Sequence, residues 1–137
     1  MRHWNTCVAL VFVAAFGLQV RAADKPPADY QKAMKDLGAF AQGIDKAVMA
    51  DDFDAVAKYA TAVQADFEVV EKYWTGKAKD AAELAQNGGK AAADLGVVAG
   101  LKSHEGIVYS AKQITDLCAG CHMAHRETMP DGTFQIK

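Results

Sequence analysis

From Tyr30 onward the apolar residues return every three or four positions, and no stretch alternates with a period of two. That spacing predicts helices rather than strands. The first helical segment opens after Lys25-Pro26-Pro27, since proline is tolerated in a first helical turn, where its missing N–H would have no intrahelical partner. Its stripe is Tyr30, Met34, Leu37, Ala41, Ile44 and Val48. Asp51-Asp52 interrupts the pattern and supplies side-chain oxygens to cap the next helix. The second segment carries Phe53, Val56, Ala60, Val63, Phe67, Val70 and Trp74, a strict three-four repeat that closes at Gly76. The third reads Ala81, Leu84, Gly88, Ala91, Leu95 and Val98. Within it Asn87-Gly88-Gly89 is costly, about 1 kcal/mol per glycine relative to alanine. It marks either a kink or a close approach of something bulky to the backbone. The fourth begins near Ser103 to Glu105, repeats as Ile107, Ala111, Ile114, Cys118 and Cys121, and ends before Pro130. Pro130-Asp131-Gly132 reads as a turn, and the residues after it as a short extended end. Amphipathic helices of this length with short connections predict an all-α, up-down-up-down (antiparallel) four-helix bundle. A seam near about 3.5 residues per repeat matches the shallow left-handed packing of such bundles.

The residues before this region differ in character. Arg2 and His3 precede an apolar run from Cys7 to Val20, and Val20-Arg21-Ala22 offers a cleavage site of small or modest residues. That is the order of an export signal: residues 1–22 are read as a cleaved leader and 23–137 as one domain of about 115 residues. The apolar run, about fourteen residues, is short for a membrane span, and a retained N-terminal anchor is the alternative. Cys7 stands at the start of the run rather than at the cleavage position, so it does not read as a lipid-attachment site. With Arg2 and Arg21 removed, 13 of the 15 basic residues face 17 acidic ones, a net charge of −4 with histidine neutral. A mildly acidic surface argues against nucleic acid and anionic lipid as partners. Leader removal also predicts no stable membrane insertion.

Of the three cysteines only Cys118 and Cys121 remain in that domain. An oxidising compartment, here the periplasm, does not preserve free thiols. A disulfide between them would close too small a loop to stabilise much. Cys118-Ala119-Gly120-Cys121-His122 is instead the attachment signature of c-type haem. Two thiols three positions apart share one helical face and reach the two vinyl groups of one porphyrin as thioethers. His122 then offers its imidazole to the iron from the same side, and Ala119-Gly120 leaves room for the macrocycle edge. The expected cofactor is one covalent haem c with its iron. A thioredoxin-like pair would need a strand leading into a helix, which the pattern lacks. A zinc site would recruit Cys118, Cys121, His122 and His125, with Cys121 and His122 binding one tetrahedral ion from adjacent helical positions, a strained geometry.

Four amphipathic helices with Cys-x-x-Cys-His near the C-terminus resemble the class II c-type cytochromes, the cytochrome c prime group and its low-spin relatives. The resemblance covers residues 25–128 and is most specific at Cys118, Cys121, His122 and Arg126, whereas His125 stands where the family usually has an aromatic residue. Met34-Lys35-Asp36-Leu37-Gly38 is similar to the family's first-helix motif, in which the residue at Met34 faces the distal side of the haem. In gas-binding members that residue is often leucine and the iron is five-coordinate; in low-spin members it is methionine and ligates iron. Antiparallel geometry agrees with Met34, because the start of helix one lies beside the end of helix four. Met49 is fifteen residues further on, roughly 22 Å away at 1.5 Å per residue. The other reading of Met34 is a core methionine filling space against the haem. His104 reads as a surface or capping residue, and His125 as packed beside the ring or exposed. The family often has an arginine four residues before the distal position; here Tyr30 stands there, followed by Gln31 and Lys32. Tyr30 as a hydrogen-bond donor, and Lys35 or Arg126 as a charge, are the candidates toward the haem propionates.

With His122 and Met34 both bound, the iron has no open position, so the expected role is not enzymatic. It is one-electron carriage between periplasmic or membrane-bound redox proteins. Methionine ligation and burial among Phe40, Phe67 and Trp74 would favour the ferrous state. An unligated Met34 would instead give a five-coordinate haem protein that binds nitric oxide or carbon monoxide. A third arrangement is a haem-bearing subunit of a larger periplasmic oxidoreductase, with residues 129–137 as a docking segment or a loosely packed end. Family members are often homodimers, so a homodimer is a candidate assembly.

Overall fold

The computed structural model of the chain describes residues 26–137, and the expected leader, residues 1–22, lies outside them. Four α-helices of 22 residues make up most of this length: α1 (Ala28–Met49), α2 (Phe53–Trp74), α3 (Lys79–Gly100) and α4 (His104–His125). Each is about 33 Å long. The connections, residues 50–52, 75–78 and 101–103, are so short that each helix folds back on the one before it. α2 packs closely on α3, α3 on α4 and α1 on α2, an all-α arrangement consistent with a four-helix bundle. No helix among the described residues is long and apolar enough to cross a membrane.

Two of the three turns use the same device. Asp51 and Lys102 each adopt a left-handed conformation with φ 55°. The following residue then caps the next helix: Asp52 accepts from the Ala55 amide at 2.9 Å and Ser103 from the Gly106 amide at 3.1 Å. These are the cap positions that the Asp51-Asp52 break and Ser103 predict. His104 Nε2 meets Asp51 Oδ1 at 3.0 Å and ties the two turns together at one end of the bundle. The opposite end therefore gathers the start of α1, the turn after α2 and the end of α4.

The core follows the stripes with local shifts. On α2 it runs Val56, Ala60, Val63, Phe67, Val70 and Trp74, as the repeat predicts, with Phe53 half-buried. On α1 it runs Tyr30, Ala33, Leu37, Phe40, Ile44 and Ala47; Met34 and Val48 are half-buried and Ala41 is exposed. The shift arises because α1 presses on α2 and only sparsely on α4, which leaves Met34 and Val48 along an open seam between α1 and α4. On α3 the alanines Ala81, Ala85, Ala91, Ala92 and Ala99 are buried while Leu84 and Val98 stay half-buried. α3 also runs without interruption through Gly88 and Gly89. A Cβ on Gly88 would lie 2.4 Å from the Phe67 ring, so close approach, not a kink, explains that glycine.

The C-terminus carries the expected turn and extended end, and pairs that end with a strand not expected. α4 stops at His125, and Arg126–Thr128 (β1) pairs antiparallel with Phe134–Ile136 (β2), Arg126 opposite Ile136 and Thr128 opposite Phe134. Gly132, at φ 81°, and the Asp131 carboxylate, which accepts from Thr133 N at 2.9 Å, close the turn. A chain expected to hold no strand thus ends in a short hairpin, folded back on the end of α4 by the Lys137 amide donating to the His125 carbonyl at 3.0 Å.

Candidate functional site

Three helices and the hairpin converge at the end of the bundle opposite the tied turns. α1 contributes Tyr30 and Met34 from its first two turns, α2 its last residue Trp74, and α4 its last turns with Cys118, Cys121, His122 and His125. Between them lies a cavity of about 260 Å³ bordered by Tyr30, Met34, Trp74, Cys121, His122, His125, Arg126 and the hairpin residues Phe134 to Ile136. A second cavity of about 80 Å³ is bordered by Met34, Leu37, Phe67, Leu84, Leu117, Cys118, Cys121 and His122. Met34, Cys121 and His122 form the wall common to both. Together the two occupy the open seam between α1 and α4, in the size range of small-molecule pockets, about 300–1,000 Å³.

Cys118 and Cys121 are half-buried free thiols on one face of α4, three positions apart. Burial, with the neighbouring Cys121 second, pushes the Cys118 thiol up to about 11; burial and then Asp80 push Cys121 up as well. Such thiols stay protonated, and they sit near the C-terminal end of a helix, where the dipole disfavours a thiolate. This is the opposite of a thioredoxin-type pair, and the only strands among the described residues come after it. Among the described residues no group of three or more His, Cys, Asp or Glu side chains is placed to hold a metal ion.

His122 is half-buried, and burial, then the Arg126 charge, lowers its pKa, which favours a neutral imidazole with a free ring nitrogen. His125 is held elsewhere. Its Nε2 bonds Asp80 Oδ2 on α3 at 2.8 Å and its ring stands 4.9 Å from that of Trp74. That bond lowers the Asp80 pKa and fixes His125 in the cavity wall. Met49 is 88 % exposed at the far end of α1. His104 is exposed at that same far end, in the turn tie already described.

Tyr30 is buried against Tyr73, ring centroids 4.2 Å apart, and burial pushes its hydroxyl up to about 12. Arg126 lies in β1, with its guanidinium 4.1 Å from the Phe134 ring centre at the mouth of the larger cavity. Lys35 is exposed and borders neither cavity, so of the three candidates for an anionic edge only Tyr30 and Arg126 are in reach. Phe40, expected beside the site, faces a separate apolar groove with Ile44 and Ile107 further down the α1–α4 seam.

Sequence reasoning brought Cys118, Cys121, His122, Met34, Tyr30 and Arg126 to one place, and the structure groups all six there. It missed the Asp80–His125 bond and the strand that turns the C-terminal end into a hairpin wall. The turn and extended end were read from Pro130-Asp131-Gly132 onward; the Arg126–Thr128 strand that pairs with them was not. No family model, curated protein or solved structure matches the chain.

Proposed function

We propose that the chain is a periplasmic c-type cytochrome that carries one electron on a single covalent haem c. The observation that carries this reading is the wall shared by the two cavities, formed by Met34 of α1 with Cys121 and His122 of α4, with Cys118 bordering the smaller cavity. Unpaired thiols with no disulfide partner, an apolar slot bordered by Phe67 and Leu84, and donor groups at the other end suit a flat cofactor with two attachment points and an acidic edge. Cys118 and Cys121 would hold it by thioethers, His122 would ligate the iron on one side and Met34 on the other. Bound there, the haem supplies reversible Fe(III)/Fe(II) exchange.

The residues around it set the terms of that exchange. Phe67, Leu84 and Leu117, which border the smaller cavity, would exclude water from a haem held there and disfavour the extra ferric charge. Trp74 and the hairpin cover the other edge. Asp80 engages the His125 Nε2, which would leave His122 as the histidine offered to the iron. Were His122 and Met34 both to hold the iron, the role would be that of a carrier between redox proteins of the periplasm or membrane rather than of an enzyme.

The test is covalent. Expressed with a haem-attachment system, the exported chain should gain the mass of one haem and resist acid–acetone extraction. Cys118→Ser with Cys121→Ser should abolish both. A wild-type chain exported at its bare mass would end the cytochrome reading.

A further inference from the structure

Away from the two cavities, the seam between α1 and α4 stays open as a groove of about 500 Å³. Phe40, Ile44 and Ile107 form its floor, and exposed apolar side chains stand on both rims. Met49 on the α1 rim is 88 % exposed and Val108 on the α4 rim 61 %. Large apolar side chains left in water beside an apolar floor mark an interaction surface.

The two rims match one another. Consecutive helices fold back, so α1 and α4 run antiparallel, and the 3.0 Å bond between His104 and Asp51 sets their register. Counted from that bond at 1.5 Å per residue, Met49 and Val108 stand at roughly 3 and 6 Å, and Asp45 and Lys112 at roughly 9 and 12 Å. The rims therefore carry apolar side chains at one level and, beyond it, an acid on α1 opposite a base on α4. Both charged side chains are exposed. Among the described residues Asp45 has no ion pair, and Lys112 reaches only Asp116 on its own helix, an exposed contact that contributes little.

We propose that this groove is the contact face for a second copy of the chain, related by a two-fold axis that runs along the groove. Such an axis lays the α1 rim of one copy on the α4 rim of the other. Asp45 then faces Lys112 of the partner subunit, and Met49 faces Val108 of the partner subunit. Each pairing is made twice, as a two-fold contact requires. The four helices at the contact, α1 and α4 from each copy, alternate in direction around it as in an antiparallel four-helix bundle. An axis across the groove would instead set Asp45 against Asp45 of the partner subunit and Lys112 against Lys112 of the partner subunit, so charge selects the first. The groove shares no residue with the walls of either cavity, and the proposal stands apart from the cytochrome reading.

The test is sedimentation equilibrium of the exported chain across micromolar concentrations, in low and in high salt. The chain should behave as a dimer that loosens as salt rises. Asp45→Lys and Lys112→Glu each turn two attractions into two repulsions, and each should weaken association by about tenfold or more. The two substitutions together restore opposite charges and should recover the dimer, a rescue that a general loss of stability would not give. Val108→Glu, at an exposed position, should yield a monomer with unchanged helical circular dichroism. A wild-type chain that stays monomeric throughout would overturn the proposal, whatever its haem content. So would a dimer indifferent to these substitutions, which would place the contact on another face.

Discussion

Met34 borders both cavities from the open side of α1, half-buried, opposite the His122 face of α4. A thioether in that position either ligates iron or merely fills space, and the two differ in one substitution. Met34→Ala should turn a low-spin holoprotein into a high-spin one that takes up carbon monoxide, read by its visible absorption bands. An unchanged low-spin spectrum in that variant would remove Met34 from the ligand set. Tyr30 gives a second residue-scale expectation. Burial raises its pKa from 10.0 to about 12 in the folded chain, so the folded state holds the phenolic proton more tightly than the unfolded state. Its contribution is complete below pH 10 and is lost as pH rises toward 12. Thermal melts should therefore fall off more steeply over that interval in the wild type than in Tyr30→Phe. At this scale the cysteines, His122 and Met34 were legible because each carries its chemistry in its identity and spacing. The Asp80–His125 bond was not, because it joins residues on different helices that no spacing links.

Helices were legible where large side chains mark the buried face. α2 places Val, Phe and Trp on one stripe and buries that stripe. α1 and α3 were harder, since alanine is equally at home inside and outside. Ala41 fitted the spacing yet is exposed, while Ala33 and Ala47 are buried. Small residues on α3 let the large ones of α2 approach its backbone, most closely where the Phe67 ring meets Gly88. Gly88→Ala would gain helix propensity yet push a methyl into that ring, so it should destabilise the fold by about 1–3 kcal/mol in chemical denaturation. The turn and extended end could be read, but the pairing with Arg126–Thr128 could not, because each strand is three residues long, too short for a pattern to stand out from a loop. Its packing is nonetheless specific, with Phe134 under Arg126 and Ile136 against the core. Deleting residues 129–137 should expose one edge of the site and lower the midpoint potential of the holoprotein, because solvent stabilises the ferric charge. An equal potential in the truncated protein would show that the hairpin does not shield the site.

At the scale of the whole molecule, one seam of the bundle is looser than the others. The turns at residues 50–52 and 101–103 are tied together through Asp51 and His104, while at the other end α1 and α4 part around the two cavities. That asymmetry gives the chain one closed end and one end where helices one and four part. The all-α class and the order of helices could be read from periodicity; the open seam could not, because it depends on how tightly α1 prefers α2 over α4. The central claim is that His122 and Met34 close the iron from both sides within that seam. An absorption spectrum of the exported holoprotein, oxidised and reduced, with and without carbon monoxide, tests it most directly. The account predicts low-spin bands, the weak long-wavelength methionine–iron band in the oxidised protein, and no response to carbon monoxide. A high-spin spectrum that shifts promptly with carbon monoxide would contradict it and leave an open, gas-binding iron in its place.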